Sequence, residues 1–155
     1  MLNIFKKIIY PEQADSEEQK RKYHLAAAAL YIDMAKADSD YTEDEKVQIT
    51  SILKKCFNES DEYIENLMDD SEDELKKSIS IYEFSTELNK YFTRNEKYEM
   101  LKNLWRIIFT DGAVDIYEEH LIKQIAGTLN LDRQDIISSK MEVKEELKIR
   151  NKPEE

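Results

Sequence analysis

Apolar residues recur along this chain at helical spacing, with a short polar stretch before each recurrence. Tyr23, Ala26, Ala27, Leu30, Met34 and Ala37 follow at i, i+3, i+4 and i+7, which predicts a helix with one buried face. The alanines would let a neighbouring helix approach closely. After the polar break Asp38-Ser39-Asp40-Tyr41, a second helix is predicted on Ile49, Ile52, Leu53 and Cys56. A short acidic helix is expected near Asp61 to Met68, then one that buries Leu75, Ile79, Tyr82 and Leu88 and runs to about Phe92. The next stripe is Tyr98, Leu101, Leu104, Trp105, Ile108 and Phe109. It stops at Asp111-Gly112, where Gly112 suits a left-handed C-terminal position. Leu121, Ile122, Ile125 and Leu129 mark another helix, and Asp132 opens a last one through Ile136, Ile137 and Met141.

Five of the polar stretches have the form S/T/D-x-x-E/Q: Ser16 with Gln19, Thr42 with Glu45, Ser71 with Glu74, Thr93 with Glu96, and Asp115 with Glu118. In such a capping box the first side chain accepts from the backbone of the fourth residue, whose own side chain reaches back. Caps and periodicity agree, which predicts one all-α domain of six to eight helices.

Composition narrows this picture. Two glycines and two prolines in 155 residues are too few for the turns of an all-β domain. A chain of this length buries roughly 70% of its unfolded surface without a staple. The lone Cys56 excludes an intrachain disulfide and is expected to be a small core residue in a reducing compartment. The best apolar run, Leu25 to Ile32, is half alanine and ends at Asp33, too short to cross a bilayer. Asn3 to Tyr10 pairs Ile4, Phe5, Ile8 and Ile9 with Lys6 and Lys7 and ends at Pro11. It is expected to pack on the domain or fray, with membrane contact as the alternative. Its lysines lie inside the apolar stretch rather than before it, unlike a secretory signal, so a cytoplasmic location is expected. The resulting organisation is an N-terminal amphipathic segment 1–15, a helical domain 16–146 and a frayed charged tail 147–155. The net charge of −11 disfavours nucleic acid and anionic membranes, and favours cations or a basic protein partner.

Sliding the chain over itself by 73 positions sets Asp38 on Asp111, Thr42 on Asp115, Glu45 on Glu118, Ile49 on Ile122, Ile52 on Ile125 and Met34 on Ile107. Each half is then an apolar helix, an acidic break, a capping box and a second apolar helix, which suggests an internal repeat of two pseudo-symmetric helix–loop–helix units. The stretches Ala37-Asp38-Ser39-Asp40-Tyr41-Thr42-Glu43-Asp44-Glu45 and Thr110-Asp111-Gly112-Ala113-Val114-Asp115-Ile116-Tyr117-Glu118-Glu119 resemble the paired ADG-x-V-x-x-x-E signatures of the TerB (tellurite resistance protein B) family. The resemblance spans about Tyr23 to Met141. Ser39 replaces the glycine in the first signature, so the second matches better. The resemblance implies an all-helical fold of two pseudo-symmetric halves and a metal-binding, stress-linked module without catalytic activity. It also implies a protein partner, as in a membrane-associated stress complex, for a chain that is not itself an integral membrane protein.

The acids have two readings. Thr42, Glu45, Asp115 and Glu118 are accounted for by helix initiation, and Glu43, Asp44 and Glu119 lie in first turns, where the helix dipole favours negative charge. Asp38 and Asp111 instead sit at helix C-termini, the unfavourable end of the dipole. If the two loops converge, Asp38, Asp40, Glu45, Asp111, Asp115 and Glu118 form an all-oxygen set for a hard cation, Ca²⁺ or Mg²⁺. Neither loop is an EF-hand: its sixth position would be Glu43 and its twelfth Ile49, or Ile122 in the second loop. Residues 59–74 hold many acids and no base. That run is a solvated face or, in the alternative function, the surface of a metal-free protein-interaction adaptor. His24 and His120 lack partners at zinc-ligand spacing, and no P-loop, nucleophile elbow or dinucleotide glycine motif is present.

Overall fold

The computed structural model describes residues 16–37, 41–77, 80–110 and 114–150. The N-terminal segment 1–15, the loop residues Asp38, Ser39, Asp40, Asp111, Gly112 and Ala113, the expected core residue Ile79, and residues 151–155 lie outside the described residues, as does the side chain of Ser16. Among the described residues there are seven helices and no strand: α1 (Ser16–Ala35), α2 (Glu43–Phe57), α3 (Asp61–Lys76), α4 (Ile81–Tyr91), α5 (Arg94–Phe109), α6 (Ile116–Thr128) and α7 (Arg133–Arg150).

The first helix is the axis of the fold. Its sequence pattern predicts a single buried face, yet Ala26 through Ile32 are all buried. Such a helix is surrounded, and α2, α3, α4, α5 and α6 all pack on it. The four consecutive alanines make this possible, because small side chains let several neighbours approach one backbone. The last helix stands apart from this arrangement and packs on α5.

Three of the five expected start signals form complete capping boxes: Thr42 with Glu45, Thr93 with Glu96 and Asp115 with Glu118. A further box, not expected from the sequence, joins Asp132 and Asp135 through reciprocal backbone-to-carboxylate bonds of 2.9 Å. Ser71 is a correction. It does not start a helix but lies inside the continuous α3, fully buried, with its hydroxyl donating to the Leu67 carbonyl at 2.7 Å and facing the Leu25 carbonyl of α1 at 3.4 Å. Packing against α1 carries the α3 stripe of Ile64, Leu67 and Met68 through Ser71. The break comes after Lys76 instead.

Burial corrects three other expectations. Tyr82 is exposed, and α4 buries Phe84, Ser85 and Leu88. On α7, Ile137 and Met141 face solvent while Ser139 and Val143 are buried. The buried side is set by the hydrogen bond from Trp105 Nε1 to Ser139 Oγ (3.0 Å) and by Arg106, whose guanidinium makes a two-pronged contact with Glu146 (2.7 and 2.8 Å). This helix continues to Arg150, so the start of the expected tail is helical. Cys56 is exposed rather than a core residue. The stripe of α2 that packs inward is Glu45, Ile49 and Leu53, and Cys56 lies one step round the helix from it.

Two asparagines do the work that glycine does elsewhere. Asn58 (φ 52°) closes α2, and Asn130 (φ 61°) follows α6. After α6, Asn130 N–H bonds Gly127 O and Leu131 N–H bonds Ala126 O, a Schellman closure with the buried Leu131 as its apolar contact.

Candidate cation site at the acidic loops

Glu45 and Glu118 stand 73 positions apart, each at the third position of its helix. The Glu45 carboxylate accepts from Thr42 N (3.4 Å) and Thr42 Oγ1 (3.2 Å), while Thr42 Oγ1 accepts from Glu45 N (3.1 Å). Around Glu118 the same pattern recurs: its carboxylate accepts from Asp115 N (3.3 Å), and Asp115 Oδ1 accepts from Glu118 N (2.8 Å). Capping glutamates ordinarily lie at the surface. These two are 1% and 4% exposed, whereas Glu96, in the third box, is exposed. Their neighbours along each helix match as well, since Ile49 and Ile122 are both fully buried, as are Met34 and Ile107 on the preceding helices.

A lateral contact brings the two units together. Gln48, one turn beyond Glu45 on α2, donates to the Arg106 carbonyl (3.0 Å), and the Thr110 hydroxyl lies within hydrogen-bond reach of both Gln48 Oε1 and Arg106 O, to either of which it can donate. Arg106 O belongs to the last turn of α5, where carbonyls lack intrahelical partners. The early turns of α2 therefore cap the helix end from which the second acidic loop departs. Nothing in the periodicity signals this contact, because Gln48 lies on a polar face of its own helix.

Of the six predicted ligands, Glu45, Asp115 and Glu118 are described, and all three take part in capping boxes; Asp38, Asp40 and Asp111 lie outside the described residues. Among the described residues, no group of three or more His, Cys, Asp or Glu side chains is arranged to hold a metal ion. His120 is exposed. His24 is buried, stacked on Phe57 at 3.7 Å between ring centroids, with Nδ1 2.9 Å from Tyr63 Oη. Burial, reinforced by the Lys20 charge, lowers its pKa to about 4, so the ring is neutral at physiological pH.

A second feature was not legible in the sequence. A groove of about 410 Å³ opens between α1, the end of α2 and the start of α5, walled by Tyr23, His24, Phe57 and Phe92, with Cys56 and Asn103 at one end. Asn103 organises that end: its amide donates to Tyr31 Oη (3.1 Å) and approaches Cys56 Sγ (3.6 Å), and its Oδ1 accepts from Arg106 Nη1 (2.6 Å). The residues come from α1, α2, α5 and the end of α4, and only packing juxtaposes them.

No described helix is long and apolar enough to cross a membrane. The family model described as "Tellurite resistance protein TerB" matches residues 24–141. Searches of curated proteins and of solved structures found no match. The matched region runs from His24 on the axial helix to Met141 on the last one and takes in both acidic units, and on that coverage the chain belongs to the TerB family.

Proposed function

We propose that this tellurite-resistance-type domain acts by binding rather than catalysis, and that it holds a divalent cation between its two acidic loops. The observation that carries the reading is the matched burial of Glu45 and Glu118 at the mouths of the loops, with α2 tied through Gln48 to the helix end that leads into the second loop. Oxygen donors of this kind suit Ca²⁺ or Mg²⁺. Asp38, Asp40 and Asp111 would supply the outer ligands, and Glu45, Asp115 and Glu118 the side of the site built on helix starts. The test is a thermal melt in EDTA and then with Ca²⁺, Mg²⁺, Mn²⁺ or Zn²⁺, on the wild type and on Asp38→Asn/Asp111→Asn. A cation at a hundred times its Kd adds about 2.7 kcal/mol, or roughly 5 to 10 °C for a domain of this size. That shift should vanish in the double variant; no shift with any metal overturns the reading.

One observation favours a second reading, a metal-free adaptor. Asp61, Glu62, Glu65, Asp69 and Asp73 are all exposed on α3, a strongly acidic surface suited to a basic protein partner. Changing these acids to Asn or Gln should remove a captured partner, and an unchanged partner set would count against it.

A further inference from the structure

We propose that the first ten residues of this chain dock as an amphipathic helix in a trough between α2 and α5, with Ile4, Phe5, Ile8 and Ile9 turned inward. The trough consists of two grooves that meet. The groove of about 410 Å³ lies at the end of α2. A second, of about 830 Å³, continues along α2 past Ile52 and Val47 to Arg106 and Glu146, and Cys56, Glu99 and Asn103 line both. The second helix therefore has two apolar sides. Ile49 and Leu53 are buried in the core, whereas the trough is lined by half-buried Ile52, exposed Cys56 and Val47, which is 64% exposed. Half-buried Phe57 and Phe92 continue this apolar strip beside Lys20 and Tyr23 of α1.

Reach, length and charge select the occupant. The first helix begins at Ser16, and Lys20, one turn on, already lines the trough. Residues 11–15 span at most about 17 Å when extended, so they can return residue 10 to this wall. A tether that short holds the segment near the trough at roughly millimolar effective concentration. Asn3 to Tyr10 as a helix is about 12 Å long, close to the distance of about 13 Å along α2 from Val47 to Cys56. Ile4, Phe5, Ile8 and Ile9 then share one face, and Lys6 and Lys7 lie on the other. Residues 1–10 hold these two lysines and no acid, in a chain of net charge −11, so the segment is attracted to its own domain. On the trough rim Asp44 is exposed, as is Glu99, which meets Lys102 only loosely at 3.7 Å. A membrane would accept the same apolar face, but an anionic surface would repel the rest of the protein.

Cys56 is the single thiol of the chain and sits where the two grooves meet, so a second cysteine in the segment reports docking. The experiment oxidises four full-length variants, Ile8→Cys, Ile9→Cys, Lys6→Cys and Lys7→Cys, and follows intrachain disulfide formation with Cys56. Position 8 or 9 should bridge at least about tenfold faster than positions 6 and 7, because a disulfide closes only when the Cα atoms lie within about 7 Å and the side chains face each other. An undocked tether would bridge from all four alike. Ile4→Asp/Ile8→Asp, in a chain otherwise unchanged, should speed alkylation of Cys56 by iodoacetamide about threefold or more, while a cooperative melt verifies that the domain is folded. Equal bridging rates, or unchanged alkylation in the double variant, overturns the proposal. So does co-sedimentation of the wild type, but not of the double variant, with phosphatidylserine vesicles, which would assign the segment to a membrane surface.

Discussion

Lowering the pH from 7 to 5 should remove a stabilising contribution that comes from the buried, neutral His24. An unfolded chain titrates histidine near 6.5, whereas burial against Phe57 and Tyr63 lowers the folded value to about 4. Below 6.5 the unfolded chain takes up a proton that the native state refuses. The contribution of the neutral ring is therefore intact above about pH 6.5, falls as the pH drops, and levels off below about 4. The slope approaches about 1.4 kcal/mol per pH unit, so the loss between pH 7 and pH 5 comes to about 2 kcal/mol, and the full loss to about 3 kcal/mol. Carboxylates titrate in the lower part of this window, so the wild type must be compared with His24→Gln. The variant loses the stacking on Phe57 and has a lower baseline, but it should lack the histidine-dependent fall. Urea unfolding followed by circular dichroism at pH 7.0, 6.0 and 5.0 gives both curves. A difference between wild type and variant that stays constant across this range would refute the reasoning, as would an NMR titration placing His24 near 6.5.

Three further outcomes follow from the packing. Trp105 is 1% exposed and donates to Ser139; Trp105→Ala should cost about 3 to 5 kcal/mol and release α7 from α5, checked by urea unfolding and by amide exchange in residues 133–150. Asn103→Leu leaves the buried Tyr31 hydroxyl unpaired and should cost about 1 to 3 kcal/mol, while Tyr31→Phe/Asn103→Leu should cost less than the sum of the single changes; strict additivity in the double-mutant cycle would show that this bond contributes nothing. Thr93→Ala removes an exposed cap, should cost about 1 kcal/mol and should lower the melting temperature by roughly 2 to 4 °C.

What the chain determines locally is its helices and most of their beginnings. Thr42, Thr93 and Asp115 each bond a backbone amide three residues on, an interaction complete within one turn and so readable from the spacing alone. The 73-residue offset is also read from the sequence without any contact, and it picks out Glu45 and Glu118, which are buried. Ser71 carries the same S-x-x-E pattern with a different outcome. A cap requires extended backbone at the first residue, and packing of α3 on α1 holds Ser71 helical, its hydroxyl on the Leu67 and Leu25 carbonyls. Position on a helix was also insufficient to say which side faces inward where apolar residues cover more than one side. On α7 the apolar Ile137 and Met141 lost to Ser139 and Val143 because Trp105 and Arg106 of α5 supply the partners on that side. Cys56 left the core for a groove wall because the groove exists only where α1, α2 and α5 meet. Local hydrogen bonds and periodicity set the elements; contacts between residues dozens of positions apart, which leave no spacing in the sequence, decided the faces, the groove and the link between the two acidic units.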